Sequence, residues 1–68
     1  MKIPKSPNRR RAMFKKMRES LEMNQEQMAK ALEYGGQSVI SRKEAGIREV
    51  TARDLLAAYA LQVIAKRL

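Results

Sequence analysis

The segment between residues 37 and 45 carries side chains whose types and spacing suit hydrogen bonding to a polar partner. A helix turns about 100° per residue, so a helix here would gather five small or polar side chains within an arc of about 140°: Gln37, Ser38, Ser41, Arg42 and Ala45. The amide of Gln37 and the guanidinium of Arg42 can each make paired hydrogen bonds, of the kind that adenine and guanine edges accept. A merely solvated helix face would have the same polarity.

The chain lacks the residue types on which most enzyme and metal sites depend. It contains no cysteine and no histidine, so it has no thiol nucleophile, imidazole base, or thiolate or imidazole metal ligand. Its seven carboxylates are scattered among cationic neighbours, whereas general acid and base catalysis needs them to converge. We therefore predict that the protein is not an enzyme and holds no metal or other cofactor.

Positive charge dominates the chain, with 15 lysines and arginines against seven carboxylates and a formal net charge of +8. Such a field attracts polyanions, either nucleic acid or an acidic membrane surface. We predict a flexible basic arm over residues 1–8, followed by three arginines that either contact phosphates or solubilise a disordered tail: Arg9, Arg10 and Arg11. The apolar runs are far shorter than a membrane span, and no signal peptide is evident, which predicts a cytoplasmic protein.

Local signals predict an all-α fold, a compact four- to five-helix bundle over residues 9–68. Helices are expected over five ranges, of which the last two could be continuous: 9–21, 25–32, 37–45, 52–61 and 62–68. Ser6 or Asn8 can cap the first helix. Asn24 with Gln27, and Thr51 with Asp54, have the spacing of capping boxes, and Gly46 suits the left-handed residue that ends a helix.

Apolar side chains at helical spacing divide into a core set and a surplus. Four methionines are predicted to be core: Met13, Met17, Met23 and Met28. In the last helix, one stripe is predicted to face the core: Ala52, Leu55, Leu56, Tyr59 and Val63. Further apolar residues there, including Ala58, exceed what so small a core can cover. We interpret four as a dimer interface, although they could also close a monomeric core: Leu61, Ile64, Ala65 and Leu68.

The segment NQEQMAKALEYGGQSVISRKEAG, from Asn24 to Gly46, resembles the Cro and lambda-repressor-like (XRE-type) helix-turn-helix family of DNA-binding proteins. The positions that carry the resemblance are Asn24, Gln25, Met28, Ala29, Leu32, Ile40, Ser41, Arg42, Glu44 and Gly46. The segment REVTARDLLAAYAL, from Arg48 to Leu61, is similar to the loop and fourth helix of that family. Glu33 stands where the family usually has glycine, and Lys43 where it often has an aromatic or aliphatic residue.

The resemblance implies that the helix over residues 37–45 lies in the major groove of DNA. The expected base-reading residues are Gln37, Ser38, Ser41 and Arg42. The expected phosphate contacts are Gln25, Lys43 and Arg48, with Arg9, Arg10 and Arg11. Gln25 matches a family residue that also braces the first side chain of the recognition helix. Glu44 is expected to be structural, through an ion pair or a bond to nearby backbone.

Three functions remain open at this stage. The resemblance favours a transcriptional repressor that binds a pseudo-palindromic operator in double-stranded DNA as a homodimer, autoregulatory and of phage or mobile-element type. The alternative is an antitoxin or another protein-binding module, in which the helix-turn-helix serves only autoregulation. A binder of RNA or membrane surfaces driven by charge is third, since the chain has few stacking aromatics and no strong lipid-binding face.

Overall fold

The computed structural model describes residues 1–67, and this part of the chain consists of four helices and their connections, without a strand. The helices are α1 (Pro7–Ser20), α2 (Gln25–Ala31), α3 (Gln37–Ala45) and α4 (Ala52–Arg67). The all-α prediction is confirmed. Residues 62–67 continue α4 and do not form a fifth helix. No helix in residues 1–67 combines the length and apolar character that a membrane crossing needs.

Two helices begin at the reciprocal caps that the sequence predicts. The Asn24 side chain accepts from the backbone N–H of Gln27 at 2.8 Å, and the Gln27 side chain accepts from the N–H of Asn24 at 2.9 Å. Thr51 and Asp54 make the same exchange at the start of α4, at 3.2 and 2.8 Å. These bonds satisfy N–H groups that have no partner within the helix.

The first helix begins at Pro7, so the predicted arm of residues 1–8 is two residues too long. The Ser6 hydroxyl caps α1 by accepting from a first-turn N–H at 3.5 Å, and proline is well suited to the first helical position. Before the cap, the carbonyl of Pro4 accepts a bond from Nε of Arg10 at 2.6 Å. The flexibility of the arm stays a prediction.

The core gathers apolar side chains from all four helices and from the loop before α4: Phe14, Met17, Met28, Ala29, Ile40, Val50, Leu55 and Ala58. Met13 and Met23 pack at its edge, so the prediction that the methionines belong to the core is confirmed. α1 packs against α3 and α4, and α2 packs against α3. α3 therefore packs against both α1 and α2.

α4 is rotated differently from the prediction. Leu56 and Tyr59, expected in the core, are 51% and 43% exposed, whereas Ala58, expected in the surplus, is fully buried. The reason is a buried ion pair: Asp54, in the first turn of α4, reaches Nζ of Lys43 in α3 at 2.7 Å. Because this contact turns Asp54 inward, it also fixes which residues of α4 face the core.

Three of the four predicted interface residues lie within the described part of the chain, and they differ in exposure. Leu61 packs against the core and is only partly exposed, so we remove it from the interface. Ile64 is 55% exposed, Ala65 is exposed, and Leu68 lies outside the described residues. Residues four apart share one side of a helix. The exposed apolar residues at this spacing are Leu56, Ala60 and Ile64.

The turn between α2 and α3 depends on Glu33, which has a left-handed backbone with a φ of 58°. Its N–H donates to the carbonyl of Lys30 at 3.2 Å, and the N–H of Tyr34 donates to the carbonyl of Ala29 at 2.8 Å. Glycine is the usual residue at this position, because a Cβ atom is strained there. The arrangement nevertheless closes α2 and directs the chain into α3.

Candidate nucleic-acid interface

The outward side of α3 consists of the residues predicted to share one arc. Gln37, Ser38, Ser41, Arg42 and Ala45 are all exposed. On the opposite side Ile40 is fully buried and Val39 is partly buried. The predicted division of this helix into a polar and an inward side is confirmed. The exposed side offers one amide, two hydroxyls and one guanidinium, so it can both donate and accept hydrogen bonds.

The first side chain of this surface is linked to α2. Nε2 of Gln37 donates to Oε1 of Gln25 at 3.4 Å, and Nε2 of Gln25 donates to Oε1 of Glu44 at 3.3 Å. The carboxylate of Glu44 can only accept, so it fixes which end of the Gln25 amide faces Gln37. Gln25 therefore braces Gln37, as the resemblance implies.

Glu44 is itself held by α1. Arg18 donates to both carboxylate oxygens, from Nε at 2.6 Å and from Nη2 at 3.0 Å, and its Nη1 donates to the carbonyl of Met23 at 2.9 Å. The two side chains are only 13% and 7% exposed. The hydrogen bond with Glu44 raises the pKa of Arg18 above its ordinary value. The structural role predicted for Glu44 is confirmed, with Arg18 as a partner that sequence reasoning missed.

Lys43 does not lie on the outward surface, which corrects its predicted role as a phosphate contact. Its side chain is 12% exposed, and Nζ donates to Oδ2 of Asp54 at 2.7 Å and to the carbonyl of Glu49 at 3.1 Å. The ammonium also lies 5.8 Å from the ring centre of Tyr34. Phosphate binding would require this ammonium to leave a buried carboxylate, so we omit Lys43 from the candidate surface.

The hydroxyl of Tyr34 donates to the other oxygen of Asp54, which completes a buried network joining the α2–α3 turn, α3 and α4. Burial alone would raise the pKa of Asp54. The hydrogen bonds from Lys43, Tyr34 and the N–H of Thr51, with the charge of Lys43, outweigh burial and lower this pKa. Burial, followed by the bond to Asp54, raises the pKa of Tyr34. Lys43 lies opposite the polar arc, which was the sequence signal for a buried partner.

The three consecutive arginines point to different parts of the molecule. The Arg10 guanidinium is held by the carbonyl of Pro4. Arg11 donates to Oδ1 of Asn8 at 3.0 Å, and its guanidinium lies so close to Gly46 that a Cβ there would overlap it. Arg9 lies on the other side of α1, facing α4. Of the three, Arg11 is the one that contacts the end of α3 itself, whereas Arg10 lies 4.0 Å from Oε1 of Glu49 in the loop beyond it.

The exposed Arg48 lines a shallow pocket together with Arg11. Gln25, at the first turn of α2, is partly buried beside the first turn of α3. The predicted residues that come together on one side are thus Gln25, Gln37, Ser38, Ser41 and Arg42, with Arg11 and Arg48 at the far end of α3.

Comparison with protein families, curated proteins and solved structures gives no match to this chain. The chemical interpretation of the surface therefore depends on the side chains themselves and on the contacts that hold them.

Proposed function

We propose that the protein is a sequence-specific regulator of transcription that binds double-stranded DNA, with α2 and α3 forming a helix-turn-helix of the Cro and lambda-repressor-like kind. The observation that carries this proposal is the polar, exposed side of α3, whose first side chain, Gln37, is braced by Gln25 and Glu44. A merely solvated helix face does not need such bracing, whereas base recognition benefits from side chains held in position.

In this proposal α3 lies in the major groove of DNA. The Gln37 amide pairs with N6 and N7 of an adenine, and the Arg42 guanidinium pairs with O6 and N7 of a guanine. Ser38 and Ser41 donate to bases or to phosphate oxygens. Each good paired contact discriminates between bases by about 1–3 kcal/mol, so two in each half-site establish a clear sequence preference.

Phosphates beside the groove are contacted by the partly exposed Arg11 and the exposed Arg48. Both lie near the C-terminal end of α3, where backbone contacts position the protein on the duplex. The formal net charge of +8 supports binding to a polyanion and predicts a strong dependence of affinity on salt.

We propose that the protein acts as a homodimer, paired through the outward side of α4. Leu56 and Ile64 are more than half exposed and lie on one side of this helix, with Ala60 between them. Two recognition helices related by a two-fold axis then read half-sites about one helical turn apart, and the bound dimer represses a promoter by occlusion.

Selection from a random duplex library at near-physiological salt tests this function directly. A two-fold symmetric motif among the retained sequences is the expected result. If duplexes are retained through charge alone, with a steep salt dependence and no motif, the proposal of sequence-specific recognition is wrong.

Arg42→Ala is expected to weaken binding to the selected duplex by about 1–3 kcal/mol, roughly 5- to 150-fold, and to remove the base preference at one position of each half-site. Titrations of the selected duplex and of a random duplex measure both effects. Arg48→Ala is the matched control, because this exposed arginine is proposed to contact only phosphate. The control should weaken both duplexes alike and reduce the salt slope. An equal loss on both duplexes for Arg42→Ala would exclude base reading by this residue.

Ile64→Glu is expected to give a monomer in sedimentation experiments and to lower affinity for the symmetric site. The reason is that a glutamate from each subunit would be buried against its copy in the pair. Ala65→Glu, the adjacent exposed residue about 100° around the helix, is the control and should leave most of the dimer intact. A dimer unchanged by Ile64→Glu would place the interface on another surface.

A further inference from the structure

A groove between α1 and α4 lies apart from the proposed DNA surface. Its volume is about 850 Å³, and its apolar lining includes Met13, Met17 and Tyr59. At about 100° per residue, Met13 lies about 160° around α1 from Arg11, which approaches the end of α3. The groove therefore opens on the side of α1 that faces away from the recognition helix.

The floor of this groove suits an apolar helix face. Met13, which is partly exposed, has a flexible thioether side chain that adapts to partners of different shapes, and Met17, only 6% exposed, lines the groove as part of the core. Tyr59 is a large aromatic side chain that remains 43% exposed beside them. An apolar groove between two helices is a common receptor for an amphipathic helix, which inserts residues spaced three and four apart.

The charges on the rim favour an acidic occupant. Arg9 and Lys16 line the groove, where Glu19 is the single carboxylate among the lining residues. Neither cation forms an ion pair within the described chain, residues 1–67. A second copy docked groove to groove would bring these cations against their own images. DNA would match the charge but has no apolar helix face to place on the floor.

We propose that the α1–α4 groove binds an acidic amphipathic helix of a different protein. Its apolar side packs on Met13, Met17 and Tyr59, and its carboxylates pair with Arg9 and Lys16. Since α3 faces another direction, the chain can hold DNA and this partner simultaneously. Binding of the partner would then bring a second protein to the DNA site.

Selection of peptides on the full chain tests the groove. The probe is a peptide recovered from a display library of random segments of about 16 residues, which span about 24 Å as a helix. The expected peptide is acidic, with large apolar residues at i, i+3 or i+4, and i+7, and a scrambled version should not bind. In ¹⁵N-labelled protein, its binding should shift the amide signals of Met13, Met17 and Tyr59 and leave those of α3 in place.

Lys16→Glu and Lys15→Glu form a matched pair of variants. Both lysines are exposed, but Lys15 lies about 100° around α1 and does not line the groove. Lys16→Glu should weaken the selected peptide at least about ten-fold, and Lys15→Glu less than about two-fold. Circular dichroism verifies that both variants are folded, and both should bind the selected duplex alike, which separates this inference from the proposed function.

Four results would overturn the inference. The first is an equal loss of peptide affinity for Lys15→Glu and Lys16→Glu, and the second is the recovery of no peptide that binds better than its scrambled version. The third is a set of amide shifts confined to α3. The fourth is a sedimentation change showing that Lys16→Glu alters self-association. The last of these would assign the groove to a second copy of the chain.

Discussion

Alanine at position 54 is expected to lower the free energy of unfolding by about 3–5 kcal/mol, the usual loss when one partner of a buried ion pair is removed. The Asp54 side chain is 8% exposed and accepts hydrogen bonds from Lys43, Tyr34 and the N–H of Thr51. Alanine would leave the buried ammonium of Lys43 without its counter-charge and would also remove one of the two reciprocal bonds that cap α4, the one donated by the N–H of Thr51. Urea unfolding followed by circular dichroism measures the loss.

The double variant Lys43→Met with Asp54→Ala separates these contributions. Replacing both charges removes the unpaired ammonium, so the double variant should be more stable than Asp54→Ala alone. Arg53→Ala is the surface control, because this neighbour is exposed, and its effect should stay within about 0.5 kcal/mol. A loss for Asp54→Ala as small as that of the control would show that the buried network contributes little.

The contribution of Asp54 is expected to disappear in acid. Its pKa in the folded protein is below the ordinary value of 3.8, so the stabilisation is complete well above that value and decreases as the pH falls toward the folded pKa. The difference in unfolding free energy between the wild type and Asp54→Ala should be constant from about pH 5 to pH 7 and shrink below about pH 4. Urea titrations across this range measure it. A difference that persists unchanged in acid would contradict the ionic role of this carboxylate.

Glu44→Ala is the second large effect that we expect, with a loss of about 3–5 kcal/mol in unfolding free energy. Removing this carboxylate leaves the 13% exposed Arg18 side chain without its two charge-assisted hydrogen bonds. It also removes the acceptor that orients the Gln25 amide toward Gln37. Stability and DNA affinity should therefore fall together, the affinity by about five-fold at a temperature where the variant is still folded.

Glu26→Ala provides the matched control for this deletion of a carboxylate. Glu26 is exposed, and its ion pair with Lys30, at 3.6 Å, is also exposed. Surface pairs of this kind contribute about 0–1 kcal/mol, so Glu26→Ala should change stability little. Glu44→Gln retains an oxygen that can accept from Gln25, so it should recover DNA affinity more fully than stability. Equal affinity losses for Glu44→Ala and Glu44→Gln would contradict the bracing role.

The part of the candidate site that lies on a single helix could be predicted from the sequence. The polar side of α3 follows from the helical period, because Val39 and Ile40 face inward while the residues before and after them, at 37–38 and 41–42, are exposed. The contact between Gln25 and Gln37 was predicted only from the family resemblance, because it joins two helices. Nothing in the local pattern indicated that Arg18 would hold Glu44, which is 26 residues away.

The sequence by itself determined where α2 and α4 begin. Asn24 with Gln27, and Thr51 with Asp54, bond within a single turn, so residue order alone specifies these starts. The residues at which the helices end were harder to predict. Gly46 indicated the end of α3, whereas α2 is followed by the left-handed Glu33, a residue type that does not indicate this conformation.

Only the tertiary structure decided the rotation of α4 and the partners of the buried charges. Apolar residues occur on every side of α4, so its periodicity allowed either Leu56 or Ala58 to face the core. In the folded chain Ala58 faces the core, and the same rotation brings Asp54 to Lys43 of α3, a contact between two helices that the periodicity of α4 alone does not reveal. The physical reason is that a buried charge must pair with the opposite charge that packing brings within reach, and that depends on all the helices together.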